Sequence, residues 1–308
     1  MIKKLTFKEV SEAWKKEKKN YVKISSYSAY CLLCDNHLIP AFSELCDITE
    51  EIVQKYVLEE LSRGLNEKTI KDILIVLKMI LRFAVKNNMM EYHQIDIKFP
   101  TNHDRKNVEV LSRDNQKKLL DYVNDNFTFK NLGIYICLCT GMRIGELCAL
   151  KWEDIDMEER VIKVRHTIQR IYITDDGEKK YTKLIVDTPK TLESIRDIPL
   201  SSNLIKIFVP IIKVVNKDYY ILTNDKNPTE PRTYRNYYKR LLEKLDIPNI
   251  KFHALRHSFA TRCIESNSDY KTVSVILGHS NISTTLNLYV HPNKEQKKKC
   301  IDKMLKSL

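Results

Sequence analysis

"HALRHSFATR", residues 253–262, sets His253 and His257 four apart with Arg256 between them, on a stretch that reads as helix. At that spacing both imidazoles can face one ion, as in the two-histidine helix of zinc peptidases. Those helices need a glutamate as general base, and here the intervening residues are Ala254, Leu255 and Arg256. An arginine one turn from His253, on the same face, repels a divalent cation, which argues against zinc. An anion suits the residues better. Arg256 lies at i+3 from His253, so guanidinium and imidazole project from one face and can contact different oxygens of one phosphate. A buried arginine and histidine satisfying helix ends or carboxylates explain the stretch equally well, since arginine is rarely buried without a partner. The surrounding sequence has to decide between them.

At 308 residues the chain is about twice the length of a typical ~150-residue domain, which predicts two domains. Hydrophobic residues make up 43% and charged residues 30%, enough apolar side chain to build cores and to argue against disorder. The net charge of +12 points to a polyanionic partner, nucleic acid before an anionic membrane surface. The longest apolar run, "LGIYICLCTGM", is far short of the ~20 residues of a membrane span. The start "MIKKLTFKEV" has charges where a signal peptide needs an apolar core, so a cytosolic protein is expected. Eight cysteines in such a compartment are expected to be reduced thiols. The spacing Cys31-x-x-Cys34-x-x-His37 resembles half a zinc site. It sits in a helical pattern, however, and no second Cys/His pair follows at finger spacing, so buried small apolar side chains are the better reading.

The first hundred residues read as helices only. "TFKE" at 6–9 fits a capping box opening a Lys-rich helix through Lys19. A second helical stretch runs from about Ser25 to Leu45, broken or bent by Pro40. A third follows Thr49 and stops at Gly64. The fourth, from Asn66 to about Asn88, carries Ile70, Ile73, Leu74, Leu77, Ile80, Leu81 and Ala84 on one face. Residues 91–110 lose the periodicity and read as a linker, and Ser112 caps a new helix. The first domain is drawn as 1–98, the linker proper as 99–110 and the second domain as 111–308. Helices continue to about Ala149. Then "RVIKVRHTIQRIYI", "KYTKLIVDTPK" and "RDIPL" read as three strands of a small antiparallel sheet, and helix returns from 201 onward. Residues 1–98 carry +2 and residues 99–308 the remaining +10, with eight lysines against three glutamates in residues 1–23.

Several segments of the second part hold isolated polar residues. "CTGMRIGELCAL" puts Arg143 after a glycine turn and before a helix, among mostly apolar residues. It needs a buried partner or an anionic ligand, and Glu146 is the nearest partner. "TPKTLESIRDIPL" puts Lys190 at the tip of an expected hairpin, where a solvated turn lysine is the plain alternative. "LGHSNISTTLNLYVHP" gives a glycine turn, His279 and a short helix carrying Tyr289, one of 16 tyrosines, ended by Pro292. Each signal alone is weak.

In order, these segments resemble the tyrosine recombinases, or phage integrases: T-G-x-R-x-x-E-L around Arg143, T-P-K-T around Lys190, H-x-L-R-H-S at 253–258, L-G-H at 277–279 and Tyr289 ten residues later. The detailed match spans roughly residues 140–291. The resemblance implies a mostly α protein with a helical-bundle, SAM-like core-binding domain and an α+β catalytic domain holding a small three-stranded antiparallel sheet. It implies a site-specific recombinase that cuts and rejoins DNA for integration or excision through a 3′-phosphotyrosyl intermediate, needing neither cofactor, metal nor ATP. Tyr289 would be the nucleophile and His253 the base. Arg143 and Arg256 would hold the nonbridging oxygens, Lys190 would protonate the leaving 5′-oxygen, and His279 would support the phosphate or the tyrosine. Glu146 would orient Arg143, and His257 would serve a structural role. A type IB topoisomerase shares the Arg-Lys-Arg-His-Tyr set but fits the H-x-L-R-H and L-G-H context less well. A catalytically inactive architectural DNA-binding protein would need no tyrosine placed beside the basic residues.

The partner implied is double-stranded DNA with specific core sites, clamped from two faces in the bacterial cytosol or nucleoid, with accessory DNA-bending proteins and no membrane. Many integrases carry an extra N-terminal domain for arm-type sites. Here core-binding helices begin within ten residues of Met1, so arm binding is not expected. In the tail, a helix is expected over about 294–308, with Ile301, Met304, Leu305 and Leu308 forming a narrow apolar stripe. It docks either on its own domain or, as the resemblance implies, on a neighbouring subunit of a homo-tetramer formed on DNA, the free protein being a monomer or weak oligomer.

Overall fold

The computed structural model describes residues 5–100, 109–174, 180–189, 191–289 and, near the C-terminus, 298, 301, 302, 304 and 305; the side chains of 174, 180 and 287–289 lie outside that description. The chain divides into two compact units, Met1–Asp104 with Arg170–Lys183, and Arg105–Gln169 with Leu184–Leu308.

The first unit contains α1 (Phe7–Lys18), α2 (Ile24–Leu33), α3 (Ile39–Phe42), α4 (Glu50–Ser62) and α5 (Glu67–Lys86). The capping box forms: Thr6 Oγ accepts from the Glu9 backbone NH at 3.3 Å, and the Glu9 carboxylate accepts from Thr6 N at 2.9 Å. Along α5, Ile70, Ile73, Leu74, Leu77, Ile80 and Ala84 are buried and Leu81 is half-buried, so the three-and-four pattern is the core face. The stretch expected as one helix from Ser25 to Leu45 is three pieces. A π turn over Cys34–Leu38 joins α2 to α3, with Ile39 N donating to Cys34 O, five residues back. Pro40 explains it: a proline has no NH to donate four residues back and its ring crowds that carbonyl, and widening the turn before it relieves the clash. Cys31 and Cys34 are buried thiols of this region. Residues 91–100 carry no helix or strand, yet Ile95, Ile97 and Phe99 pack against the unit's core. Gln54 and Lys98 exchange two hydrogen bonds, at 2.9 and 3.1 Å.

The second unit opens with Ser112 capping α6 (Arg113–Asp125), followed by α7 (Phe129–Thr140) and α8 (Ile144–Ala149). Five strands come next along the chain, β1 (Ile155–Asp156), β2 (Val161–Val164), β3 (Thr167–Thr174), β4 (Lys180–Asp187) and β5 (Arg196–Pro199), of which the part from Arg170 to Lys183 belongs to the first unit. They correct the sequence reading. A three-stranded antiparallel sheet exists, but it is β1-β2-β5, with Ile162 opposite Ile198 and Val164 opposite Arg196, while β3 and β4 form a separate two-stranded ladder. The run "RVIKVRHTIQRIYI" is therefore two strands with different partners. It breaks at Arg165 and His166, where the Arg165 guanidinium donates to Arg196 O at 3.0 Å. The segment with Thr188, Pro189 and Thr191 connects two sheets rather than turning a hairpin, and Lys190 lies outside the described residues.

Helices α9 (Ser202–Ile211), α10 (Pro231–Lys244), α11 (His253–Glu265), α12 (Tyr270–Leu277) and α13 (Ile282–Tyr289) complete the unit. Trp152, Phe208, Tyr234 and Tyr238 are its largest buried apolar side chains. Phe252, just before α11, packs edge-on to Tyr234 and Tyr238 at 5.5 and 5.2 Å, and so fixes where the helix of the opening motif begins. Further along α11, Ser258 Oγ accepts from Leu111 N at 2.8 Å and Arg262 donates to Leu111 O at 2.8 Å, tying both sides of one residue to α11. Among the described residues no helix is long and apolar enough to cross a membrane.

Candidate active site

Two helix ends build the site. Helix α7 ends at Gly141 and α12 at Gly278, both in the left-handed conformation with φ +65° and +66°. A side chain would be strained at either. At Gly278 a Cβ would also come within 2.9 Å of the Glu193 carbonyl. Each turn delivers a candidate residue immediately afterwards, Arg143 after the first and His279 after the second.

The carbonyls that end α12 are each taken by a different arginine. Arg196 Nε donates to Ile276 O at 2.6 Å, Arg256 Nη2 to Leu277 O at 2.7 Å, and Arg143 Nη2 to Gly278 O at 3.1 Å. Arg256 also donates to Gly141 O at 2.9 Å, so one guanidinium ties both glycine turns together. A helix C-terminus is the negative end of its dipole, where cations are favoured. Arg256 is only 2% exposed. The reading that placed a buried arginine on helix ends thus describes two of its bonds, and it does so within the candidate site.

Glu146 is the countercharge. Its carboxylate accepts from the Arg143 backbone NH at 2.9 Å, from Arg143 Nη1 at 2.8 Å, and from both terminal nitrogens of Arg196, at 3.2 and 2.9 Å. The side chain is 3% exposed. Burial pushes its pKa up, but the hydrogen bond and charge of Arg196 and the charge of Arg143 outweigh that, and the carboxyl stays below its usual range. Arg143 is more open, its side chain 36% exposed. Of five guanidinium donors, two are spent on Glu146 and Gly278. A cavity of about 430 Å³ lies beside it, lined by Arg143, Thr167, Thr188, Thr191, Ser194 and His279 among others.

The surroundings of His253, His257 and His279 all favour the neutral imidazole. Desolvation, His257 and the charges of Arg256 and Arg143 bring His253 down to about 4. Desolvation and the charges of Arg256, Arg143 and Arg196 bring His279 down to about 4 as well. His279 Nδ1 shares a 2.8 Å hydrogen bond with Thr285 Oγ on α13, which fixes its ring. His257 sets its ring edge-on to that of His253, centroids 4.6 Å apart, and its own pKa is lowered by burial and Arg256.

Arg143, Glu146, Arg256 and His279 thus meet at the two glycine turns, and His253 and His257 flank Arg256 on α11 within the field of these charges. Tyr289 is the last residue of α13, but its side chain lies outside the described residues, as does all of Lys190. Among the described residues no group of three His, Cys, Asp or Glu side chains is placed to hold a metal. Sequence reasoning missed Arg196 and Thr285. Arg196 left one trace, a charge at an inward position of the alternating strand "RDIP", in phase with Ile198.

Residues 109–296 match the model of the phage integrase family, and residues 6–61 match the family's N-terminal SAM-like domain. The chain belongs to the phage integrase family. It is a tyrosine recombinase, an enzyme of site-specific DNA recombination. The recombinase is 32% identical over 272 residues to a tyrosine recombinase XerC-like protein of Caldanaerobacter subterraneus, covering 81% of this chain and 69% of that protein. Its fold is similar to that of the Tn1549 transposon integrase solved in complex with transposon right end DNA (TM-score 0.76, 23% identity, 98% of this chain and 100% of that one). It is also similar to lambda integrase solved as a tetramer bound to a Holliday junction (TM-score 0.69, 17% identity, 95% of this chain and 80% of that one).

Proposed function

We propose that the recombinase binds double-stranded DNA at specific sites and breaks one strand by transesterification at the end of α12. The convergence of Arg143 and Arg256 on two glycine-capped helix ends, with His279 beside them at an open cavity and His253 within the field of both arginines, is the observation that carries this reading. Tyr289 attacks the scissile phosphorus, forming a 3′-phosphotyrosyl ester as the bond to the 5′-oxygen breaks. Its phenol, with a pKa of about 10 in isolation, gives its proton to His253, and Lys190 protonates the departing oxygen. Arg143 and Arg256 hold the nonbridging oxygens, for which a planar guanidinium offers paired donors. They supply the charge that a metal ion supplies elsewhere. His279 supports the phosphate. Attack by the 5′-hydroxyl of another strand reverses the chemistry and rejoins the DNA.

His253 near 4 is a weak base in the DNA-free protein. An arriving phosphate brings a negative charge beside Arg143 and Arg256 and raises its basicity, so the base is tuned by its substrate. The two-domain scheme, 1–98 for core binding and 111–308 for catalysis joined by 99–110, and action in the bacterial cytosol belong to the same proposal. So does assembly as a tetramer through the C-terminal helix, for which the exposure of Ile301, Met304 and Leu305 and the tetrameric lambda integrase are the support.

The test is a nicked duplex carrying the sequence that flanks the recombinase's own gene, incubated without divalent metal. The wild type is expected to form a covalent protein–DNA adduct and Tyr289→Phe none. An adduct from the Phe variant, or none from the wild type, overturns the mechanism. Relaxation of plasmids lacking the site would favour the topoisomerase reading instead.

A further inference from the structure

The Arg196 guanidinium is buried, its side chain 5% exposed, and no step above uses it. It touches three elements. Two of its nitrogens form a fork on the Glu146 carboxylate, at 3.2 and 2.9 Å; Nε donates to Ile276 O at 2.6 Å; and Nη1 donates to Ser194 O at 3.0 Å. Each contact leads to a group with a proposed role. Glu146 holds both the backbone NH and the guanidinium of Arg143. Ile276 lies three residues before His279, on the turn of α12. Ser194 lies in the turn Leu192–Ser194, which joins the Lys190 segment to β5.

Strand pairing fixes Arg196 independently of the site. Its backbone stands in β5 opposite Val164 of β2, and its side chain takes the inward position two residues from Ile198. The rigid element is the sheet, and the guanidinium transfers that position to groups on α8 and α12. Without it, the Glu146 carboxylate keeps, among the described residues, Arg143 alone as ion partner and can pull that guanidinium toward itself. Lysine does not replace it, since an ammonium on a flexible stem has no planar fork to bind two carboxylate oxygens while bonding a carbonyl sideways.

We propose that Arg196 is a positioning residue for strand cleavage: through Glu146 it fixes the guanidinium of Arg143 against the scissile phosphate, and through Ile276 it fixes the turn that presents His279. This rests on the recombinase reading and adds a residue that does not touch DNA. Misplacing a phosphate ligand by a fraction of a bond length slows the chemical step while leaving the many backbone contacts that set DNA affinity.

The test measures single-turnover cleavage of the nicked duplex at saturating DNA, for wild type and Arg196→Lys, alongside DNA affinity and the melting temperature. Arg196→Gln replaces the lysine variant if that one lacks the wild-type helical signal at 20 °C. The expected result is cleavage slower by roughly 10- to 100-fold with affinity changed less than about twofold. A second duplex carries a methylphosphonate at the scissile position, which removes one nonbridging charge and with it much of the need for an aligned Arg143. On that substrate the gap between variant and wild type is expected to shrink. Phe208→Leu, a core change in the same unit chosen to match the loss in melting temperature, is the control for destabilisation. An unchanged cleavage rate, an equal slowing in the Phe208 variant, or an equal gap on both substrates overturns the role of Arg196 while the wild-type adduct stands. Absence of that adduct instead removes the recombinase reading itself.

Discussion

The buried face of α5 and the turn that ends α12 are both buried, and different forces hold them. Along α5 seven residues from Ile70 to Ala84 present only hydrocarbon to the core. At the end of α12 three guanidinium groups, one carboxylate and three consecutive carbonyls fill the space instead. Apolar packing is non-directional and tolerates exchange of one aliphatic residue for another. The α12 end has no such latitude: each of the three guanidinium groups has a named acceptor, and removing a buried partner strands the other in a poorly solvated place. What that costs in robustness it returns as placement, because a charged network sets the angle of a guanidinium where hydrocarbon only sets its depth.

The largest effect that separates the two regions is expected from Glu146→Ala. It leaves Arg196 and Arg143 without their shared countercharge, and losing one partner of a buried pair costs about 3–5 kcal/mol. Urea unfolding followed by tryptophan fluorescence measures it, since Trp152 lies in the core of this unit. A loss below about 1 kcal/mol, the range of a solvent-exposed pair, would show that Glu146 is not a buried hub.

Leu77→Ala makes the matching test in the hydrocarbon region. Leu77 is fully buried, and truncating such a leucine costs about 2–5 kcal/mol according to how far the cavity collapses. The stability loss is therefore of similar or slightly smaller size. The contrast lies in the chemistry: at saturating DNA the cleavage rate of folded Leu77→Ala is expected to equal that of the wild type, measured with the nicked duplex. A slowed chemical step in this variant would break the division between a region that supports and a region that positions.

The same difference explains what could be read from the residues alone. Helix α5 was legible because a period of 3.6 is written directly into Ile70, Ile73, Leu74, Leu77 and Ile80, and because the left-handed Gly64 before it ends α4. Arg143, His253, Arg256 and His279 were legible as types in an order, and the family resemblance supplied their meaning. Their bonding was not, because the carbonyls of residues 276–278 carry no side-chain signal and Arg196 is remote in sequence from all of them. The strand pairing failed for a related reason. β-branched residues announce a strand without naming its partner, so "RVIKV" and "TIQRIYI" read as one strand although they join different ladders. The π turn before Pro40 escaped because a proline forecasts a break and leaves open how the chain absorbs it.

The smallest expected effect is also the one that most directly separates the regions, a dependence of local stability on pH. His253 and His279 are both held near 4, whereas an unfolded histidine titrates near 6.5. Between these values the opened state binds protons that the closed state does not, so stability rises with pH there and is lost as pH falls from about 6.5 toward 4. His257, lowered as well, adds in the same direction. Glu146 acts lower. Its carboxyl is held below the ordinary value, so its contribution is complete above the unfolded carboxylate range and disappears only as pH drops through the folded value. Between pH 7 and pH 5 the change therefore belongs to the histidines. Amide hydrogen exchange, corrected for the intrinsic rate at each pH, is expected to show α12 losing protection over that window while the buried amides of α5, whose core face carries no titrating group, keep theirs. Equal losses in both helices would mean that the histidines titrate as they do in water and that the arginines around α12 exert no field on them. A loss confined to α12 that vanishes when site DNA is bound would instead show the phosphate supplying the negative charge that lets those histidines take up a proton.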